Sequence, residues 1–253
     1  MSDLFLTAGR LLPLLDLTSL RDARDDDVLG LCRAAMTPVG PVAAVCVWPQ
    51  FVAQVKRMLA GKPVWVAGVA NVPEGRAEPE LVLTECRALL QDGADEIDLV
   101  MPYEVWLAGE RAKARNLVAK VKAVTGGRAL LKVILETGAL RDPQTIAAAS
   151  RDMVSAGADF LKTCTGKRHG GATLEAAEAM LRVIAESGGT VGFKAAGGIR
   201  EVSQAAEYLE LADSLLGDGW VAPEHFRIGA SSLLDELLED LSHMELHTGE
   251  DEP

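Results

Sequence analysis

Apolar runs recur along the chain, and segments of helical periodicity lie between them. The strand-like runs are Leu11–Leu17, Ala43–Trp48, Val64–Ala70, Glu96–Met101, Leu130–Glu136, Phe160–Cys164, Thr190–Ala195 and Phe226–Gly229. Most are short and rich in Val, Ile and Leu, the composition of parallel strands covered on both faces. In the intervening segments Ala176, Met180, Val183 and Ile184 fall on one helical face. Asp142-Pro143 reads as an N-cap followed by proline at the first helical position. Ser232 with Asp235 three residues on resembles a capping box, with Asp in place of the usual Glu. Eight strands alternating with about eight helices in 253 residues predict an α/β fold, a single (β/α)8 TIM barrel. A doubly wound sheet would more often carry a glycine-rich turn after its first strand. Here that strand runs into Asp16-Leu17-Thr18-Ser19-Leu20. Residues 1–244 are read as the barrel domain, and residues 245–253 as an acidic tail expected to be mobile.

Charged residues interrupt the apolar strands at a regular interval. Asp98, Lys132, Lys162 and Lys194 each sit among Val, Ile, Leu, Phe or Ala, and successive members lie 34, 30 and 32 residues apart. One βα unit of an eightfold barrel of this length is about 32 residues, so the four recur once per unit. Side chains alternate across a strand. If Ile97 and Leu99 face the helices, Asp98 points into the barrel, and the same parity sends Lys132, Lys162 and Lys194 inward. With Asp16 on the first strand, three amines and two carboxylates converge. A single strand lysine commonly snorkels to solvent, and a single inward Asp serves as a structural ion-pair partner. Repeating a costly buried charge at one period instead points to a site. An amine that is desolvated and beside a second cation can lose its proton and attack a carbonyl to form a Schiff base. A nearby carboxylate with water can then move protons on and off carbon.

Composition narrows the partners. The hydrophobic share is 49% and the charged share 25%, as in an ordinary globular chain. No apolar run approaches the length of a membrane helix. A formal net charge of −12 disfavours nucleic acid. It still permits a small phosphorylated ligand held by local donors. Cys32, Cys46, Cys86 and Cys164 form no C-x-x-C pair and the four His are scattered, so neither a metal site nor a disulfide framework is expected. Reduced thiols and an opening Met1-Ser2-Asp3 without a basic segment place the expected compartment in the cytoplasm.

Glycines and hydroxyls follow the later strands. Thr165-Gly166-Lys167 comes after strand six, Gly197-Gly198 after strand seven, and Gly229-Ala230-Ser231-Ser232 opens the last helix. Barrels commonly bind phosphate at the loops after strands seven and eight, where backbone N–H groups and a helix N-terminus meet an anion. Arg200 is either a further phosphate contact or a solvated helix-start residue.

From about Leu12 to Leu241 the chain resembles the 2-deoxyribose-5-phosphate aldolases, a family of class I aldolases. The segments that carry the resemblance run from Leu15 to Leu20, Gly93 to Asp98, Leu131 to Thr137, Gly157 to Thr163, Gly192 to Gly198 and Arg227 to Ser232. The resemblance implies a TIM barrel and reversible cleavage of 2-deoxyribose 5-phosphate into acetaldehyde and glyceraldehyde 3-phosphate, without cofactor or metal. It implies Lys162 as the Schiff-base lysine, Lys194 as the cation beside it, Asp98 in the proton relay, and Lys132 and Asp16 as supporting charges, with Asp16 near the substrate hydroxyl. Thr165, Gly166, Lys167, Gly197, Gly198, Ser231 and Ser232 match the phosphate-binding positions. Beyond the phosphosugar and acetaldehyde, the expected partners include neither nucleic acid nor membrane, and a homodimer is allowed. The chain departs from the family in carrying Cys164 where Ser is usual, in Val72 before Pro73 where an aromatic is usual, and in lacking a tyrosine near its end. Two alternatives stand beside this reading: another Schiff-base phosphosugar lyase on the same barrel, and a non-catalytic phosphosugar-binding barrel.

Overall fold

The computed structural model describes residues 3–20, 25–76, 78–168, 170–217, 219–230 and 232–245. Eight parallel strands close into a barrel in sequential order. They are β1 (Leu15–Ser19), β2 (Ala44–Val47), β3 (Trp65–Ala70), β4 (Glu96–Val100), β5 (Leu130–Ile134), β6 (Phe160–Lys162), β7 (Gly192–Ala196) and β8 (Phe226–Ala230). β8 pairs with β1 to complete the ring. The helices in chain order are α1 (Asp3–Leu11), α2 (Asp25–Ala34), α3 (Val52–Met58), α4 (Pro79–Gln91), α5 (Tyr103–Leu107), α6 (Arg111–Thr125), α7 (Thr137–Leu140), α8 (Pro143–Ser155), α9 (Leu174–Glu186), α10 (Val202–Leu216) and α11 (Leu233–Glu245). None among the described residues is long and apolar enough to cross a membrane. The final residues, 246–253, lie outside the described ones.

All eight expected strands are present, with altered ends. Leu11 closes α1, and Leu12–Leu14 form a 3-10 turn, so β1 begins only at Leu15. Pro13 lacks an N–H and sits at the start of that turn, where none is needed. β5 stops at Ile134 because Glu136 takes a left-handed backbone (φ 54°) that turns the chain away. β6 stops at Lys162. Just beyond, the Thr163 hydroxyl both donates to the Ala196 carbonyl (2.8 Å) and accepts from the Ala196 N–H (2.9 Å), so a side chain takes over from the ladder. A short antiparallel hairpin, Met36–Thr37 with Gly40–Pro41, precedes β2 and was not signalled by the periodicity.

The main apolar core lies between strands and helices. Ile97, Leu99, Leu131, Val133, Leu161 and Phe193 point outward and meet helix residues such as Leu89, Val118, Met153 and Ile184. The expected α9 face is buried as a unit. Asp142 caps α8, accepting from the Thr145 N–H at 2.8 Å. With the apolar side chains of these strands facing out, their alternate positions are left to fill the barrel axis, and those positions carry the charges.

Candidate active site

The outward parity of Ile97, Leu99, Leu131 and Leu161 turns Asp98, Lys132 and Lys162 inward, and the interstrand register then brings them together. Asp98 stands opposite Lys132, Lys162 opposite Lys194, and Lys194 opposite Arg227. Asp98 Oδ2 accepts from Lys162 Nζ at 2.7 Å and from Lys194 Nζ at 2.8 Å. Sharing one oxygen keeps the two nitrogens no more than about 5.5 Å apart, the two bonds laid end to end. Lys194 also meets Asp16 Oδ2 at 2.5 Å, and Lys132 reaches the same oxygen at 3.0 Å. Lys132 lies 3.6 Å from Asp98 Oδ1 and pairs with Glu96. The five charged residues expected at the site therefore form one connected cluster. Gly229 makes room for it. A β-carbon there would lie 3.0 Å from Cε of Lys194 and 2.9 Å from the Ala196 side chain.

Two members were not anticipated. Arg227 donates to Asp16 Oδ1 at 2.6 Å and to Glu96 Oε1 at 3.0 Å, closing the floor of the cluster. Its guanidinium lies over the Trp65 and Phe160 rings. The signal for Arg227 was available, since it lies one further repeat, 33 residues, beyond Lys194. Glu96 sits two positions before Asp98 and so shares its inward parity.

Among the described residues, four cations thus face three carboxylates in the barrel interior, all essentially shielded from water. Desolvating each ion costs several kcal/mol, and only mutual pairing offsets that. Burial pushes the Asp98 carboxyl up, but Lys162, Lys194 and Lys132 together outweigh it and hold Asp98 well below the usual carboxylate range. Asp16 is held low in the same way by Lys132, Lys194 and Arg227. Burial disfavours the Lys194 ammonium, yet Asp16 and Asp98 outweigh that and keep it well above an ordinary lysine. Lys194 is therefore a fixed cation and Asp98 a fixed anion at neutral pH. Lys162 closes β6 at the C-terminal end of the barrel, with 3% of its side chain exposed where Lys132 and Lys194 show none.

The opposite wall is apolar. Cys46, Ala67 and Val69 on β2 and β3 cluster with Leu20. Cys46 Sγ lies 3.8 Å from Asp98 Oδ2. Burial, then the Asp98 charge, push this thiol up to about 11, so it stays protonated at neutral pH.

The expected phosphate positions lie at the C-terminal ends of β6, β7 and β8. Gly166, Gly197 and Gly198 all have left-handed backbones (φ 72°, 107° and 85°), which only glycine adopts freely. The loops touch directly, with the Ala172 N–H donating to the Gly197 carbonyl at 2.8 Å. Gly198, Lys167 and Ser232 are exposed, and Ser232 immediately precedes α11. Ser231 lies outside the described residues. Thr165 is half-buried and its hydroxyl accepts from the Lys167 N–H at 3.1 Å. The Lys167 side chain reaches across the mouth, its Nζ 6.0 Å from the ring centroid of Trp48, just past β2. Arg200 is exposed, and its backbone N–H donates to Gln204 at the start of α10. Cys164 is buried, its Sγ 3.1 Å from the Thr137 hydroxyl. Among the described residues no group of three or more His, Cys, Asp or Glu is placed to hold a metal ion.

Comparison with known proteins bears on the fold and the family of the chain. A structure of a candidate deoxyribose-phosphate aldolase from Toxoplasma gondii ME49 superposes with a TM-score of 0.87 at 26% identity, over 94% of this chain and 95% of that one. A candidate enzyme of the same name from Coccidioides immitis gives 0.79 at 28% identity, over 90% and 86%. The deoxyribose phosphate aldolase of Aeropyrum pernix, described as a tetramer, gives 0.73 at 25% identity, over 96% and 98%. The model of the DeoC/LacD aldolases matches residues 13–238, from the turn before β1 into α11, so all eight strands that carry the charge cluster fall within it, and the chain belongs to that family.

Proposed function

We propose that this aldolase is a class I enzyme that reversibly cleaves 2-deoxyribose 5-phosphate into acetaldehyde and glyceraldehyde 3-phosphate through a Schiff base on Lys162. The observation that carries the reading is the pairing of Lys162 with Lys194 on one Asp98 oxygen, inside a cluster with one cation in excess. Withdrawing one proton from that cluster leaves three cations against three anions. Lys162 is the lysine of the set nearest the mouth, where a substrate can arrive.

In this reading the Lys162 amine adds to the aldehyde carbon C1 of the open-chain sugar. Loss of water gives a protonated imine. Removal of the proton from the C3 hydroxyl releases glyceraldehyde 3-phosphate as the C2–C3 bond breaks, and the bond electrons pass into the iminium to give an enamine. Protonation at C2 and hydrolysis then free acetaldehyde and the amine. Asp98, ionised and beside Lys162, relays protons through water. Lys194 keeps positive charge next to the reacting nitrogen. Asp16 has Lys132 and Lys194 on one oxygen and Arg227 on the other, which suits the role of an electrostatic support. Gly166, Lys167, Gly197, Gly198, Ser231 and Ser232 hold the phosphate, which fixes the sugar over Lys162.

Borohydride reduction in the presence of acetaldehyde should leave an ethyl group on the peptide containing Lys162. A coupled assay should detect glyceraldehyde 3-phosphate released from 2-deoxyribose 5-phosphate. Labelling on Lys194 or Lys132 instead, or no label together with no product, would refute the assignment.

A further inference from the structure

Glu136 is a buried charged residue of the barrel rim that the mechanism leaves unused. It is fully buried, and it follows β5 in a left-handed backbone (φ 54°, ψ 61°) that side-chain-bearing residues rarely adopt. That turn carries its carboxylate sideways over the end of the neighbouring strand. There Oε2 accepts from the backbone N–H of Thr165 at 3.1 Å. The same turn grips the loop after β6 twice more. The Thr137 N–H donates to the Thr163 carbonyl at 3.1 Å, and the Thr137 hydroxyl meets Cys164 Sγ. On its far side the loop is fixed by Ala172 donating to Gly197. Gly171 is so close there that a β-carbon would stand 2.4 Å from the Gly197 oxygen.

We propose that Glu136 is a positioning residue, holding Thr165 so that Gly166 and Lys167 are presented to the substrate phosphate. A carboxylate on the rim of a site for an anion works against binding unless its placement serves another purpose, and the bond to Thr165 supplies one. The bond also takes the Thr165 N–H, so on this loop the phosphate is left to Gly166 and Lys167. Lys162 itself is held by the β5–β6 and β6–β7 ladders. Loss of the carboxylate therefore disturbs the phosphate end and spares the amine. The inference rests on the reading of the chain as a phosphosugar aldolase.

The test uses Glu136→Gly and Glu136→Gln. Glycine suits the left-handed backbone, so it removes the acceptor without adding strain; Glu136→Leu is the second truncation if glycine loosens the turn. Glutamine keeps an acceptor oxygen at the same reach and discards the charge. Each variant is assayed on 2-deoxyribose 5-phosphate and on unphosphorylated 2-deoxyribose, and titrated with inorganic phosphate. The truncation should raise KM for the phosphorylated sugar by about tenfold or more, the worth of a hydrogen bond to a charged group. It should weaken phosphate binding in step and leave kcat and the activity on 2-deoxyribose within about twofold. Glutamine should restore wild-type behaviour. Equal losses on both substrates, a glutamine variant as impaired as the truncation, or a truncation that binds phosphate normally would each overturn the proposal. Should the wild type cleave neither sugar while the phosphate titrations follow the expected order, the aldolase reading fails and the positioning role stands.

Discussion

Lys194→Met removes the fixed cation while keeping most of the stem that Gly229 accommodates. In the wild type the Lys162 and Lys194 nitrogens are at most about 5.5 Å apart, because both donate to Asp98 Oδ2. Two unit charges at that distance repel by about 3 kcal/mol at an effective dielectric constant of about 20. That repulsion favours discharging one of the two ammoniums, and its loss corresponds to about a hundredfold in the fraction of free amine. Asp16 and Asp98, each deprived of a partner by the substitution, push in the same direction. The variant should therefore lose about two orders of magnitude in kcat/KM at neutral pH, and the rising limb of its pH–rate profile should move to higher pH. Initial rates of glyceraldehyde 3-phosphate release between pH 6 and 10 measure both, with near-ultraviolet circular dichroism to verify packing. A folded variant whose profile keeps its height and position would refute the electrostatic account. So would one that loses activity with no displacement of the limb.

Other outcomes follow from the same charges. Asp98 and Asp16 are held well below the usual carboxylate range. Their stabilisation is therefore complete above the unfolded value of about 3.9 and is lost progressively as the pH falls below it. The wild-type melting temperature should drop steeply below about pH 4, and Asp98→Asn should show a flatter acid limb; an unchanged slope would exclude Asp98 as a contributor. Arg227→Met leaves Asp16 and Glu96 short of a buried partner and should cost about 3–5 kcal/mol in urea unfolding. Adding Glu96→Gln should recover part of the loss, and strict additivity would argue against the pairing. Ser232→Glu puts a carboxylate at the start of α11, so KM for 2-deoxyribose 5-phosphate should rise sharply while the weak activity on 2-deoxyribose changes little. An equal loss on both substrates would instead indicate damage to the barrel.

The barrel and the main charges were legible because two periodicities coincide. Strand parity fixed the direction of Asp98, Lys132, Lys162 and Lys194, and the repeat of the βα unit placed them on successive strands. Arg227 carried the same signal but lies at the start of a short run dominated by its glycine motif. Glu96 reads as a polar residue at a strand end, and only the closed ring shows that this end faces the axis. Glu136 was out of reach for a different reason. Its place depends on one left-handed residue, and parity no longer predicts direction once a chain leaves the extended region. The Met36–Pro41 hairpin is too brief for alternation to register. The ends of β1, β5 and β6 were decided by a proline, a turn and a hydroxyl, none of which alters hydropathy.

The bond between Asp16 and Arg227 spans 211 residues and joins the first strand to the last. It makes the electrostatics of the interior a property of the finished ring. A chain emerging from the ribosome holds Asp16 from the start but lacks its guanidinium partner until β8 has been made. Until then Asp16 can pair only through one oxygen, with Lys132 and Lys194, and an incomplete sheet must keep the other oxygen hydrated, since expelling water from a partly compensated carboxylate is costly. Closure, dehydration and assembly of the interior charges then become a single late event. Contacts so distant in sequence form slowly, so the ion pairs that tie the last strand to the first are the last of the cluster to be made.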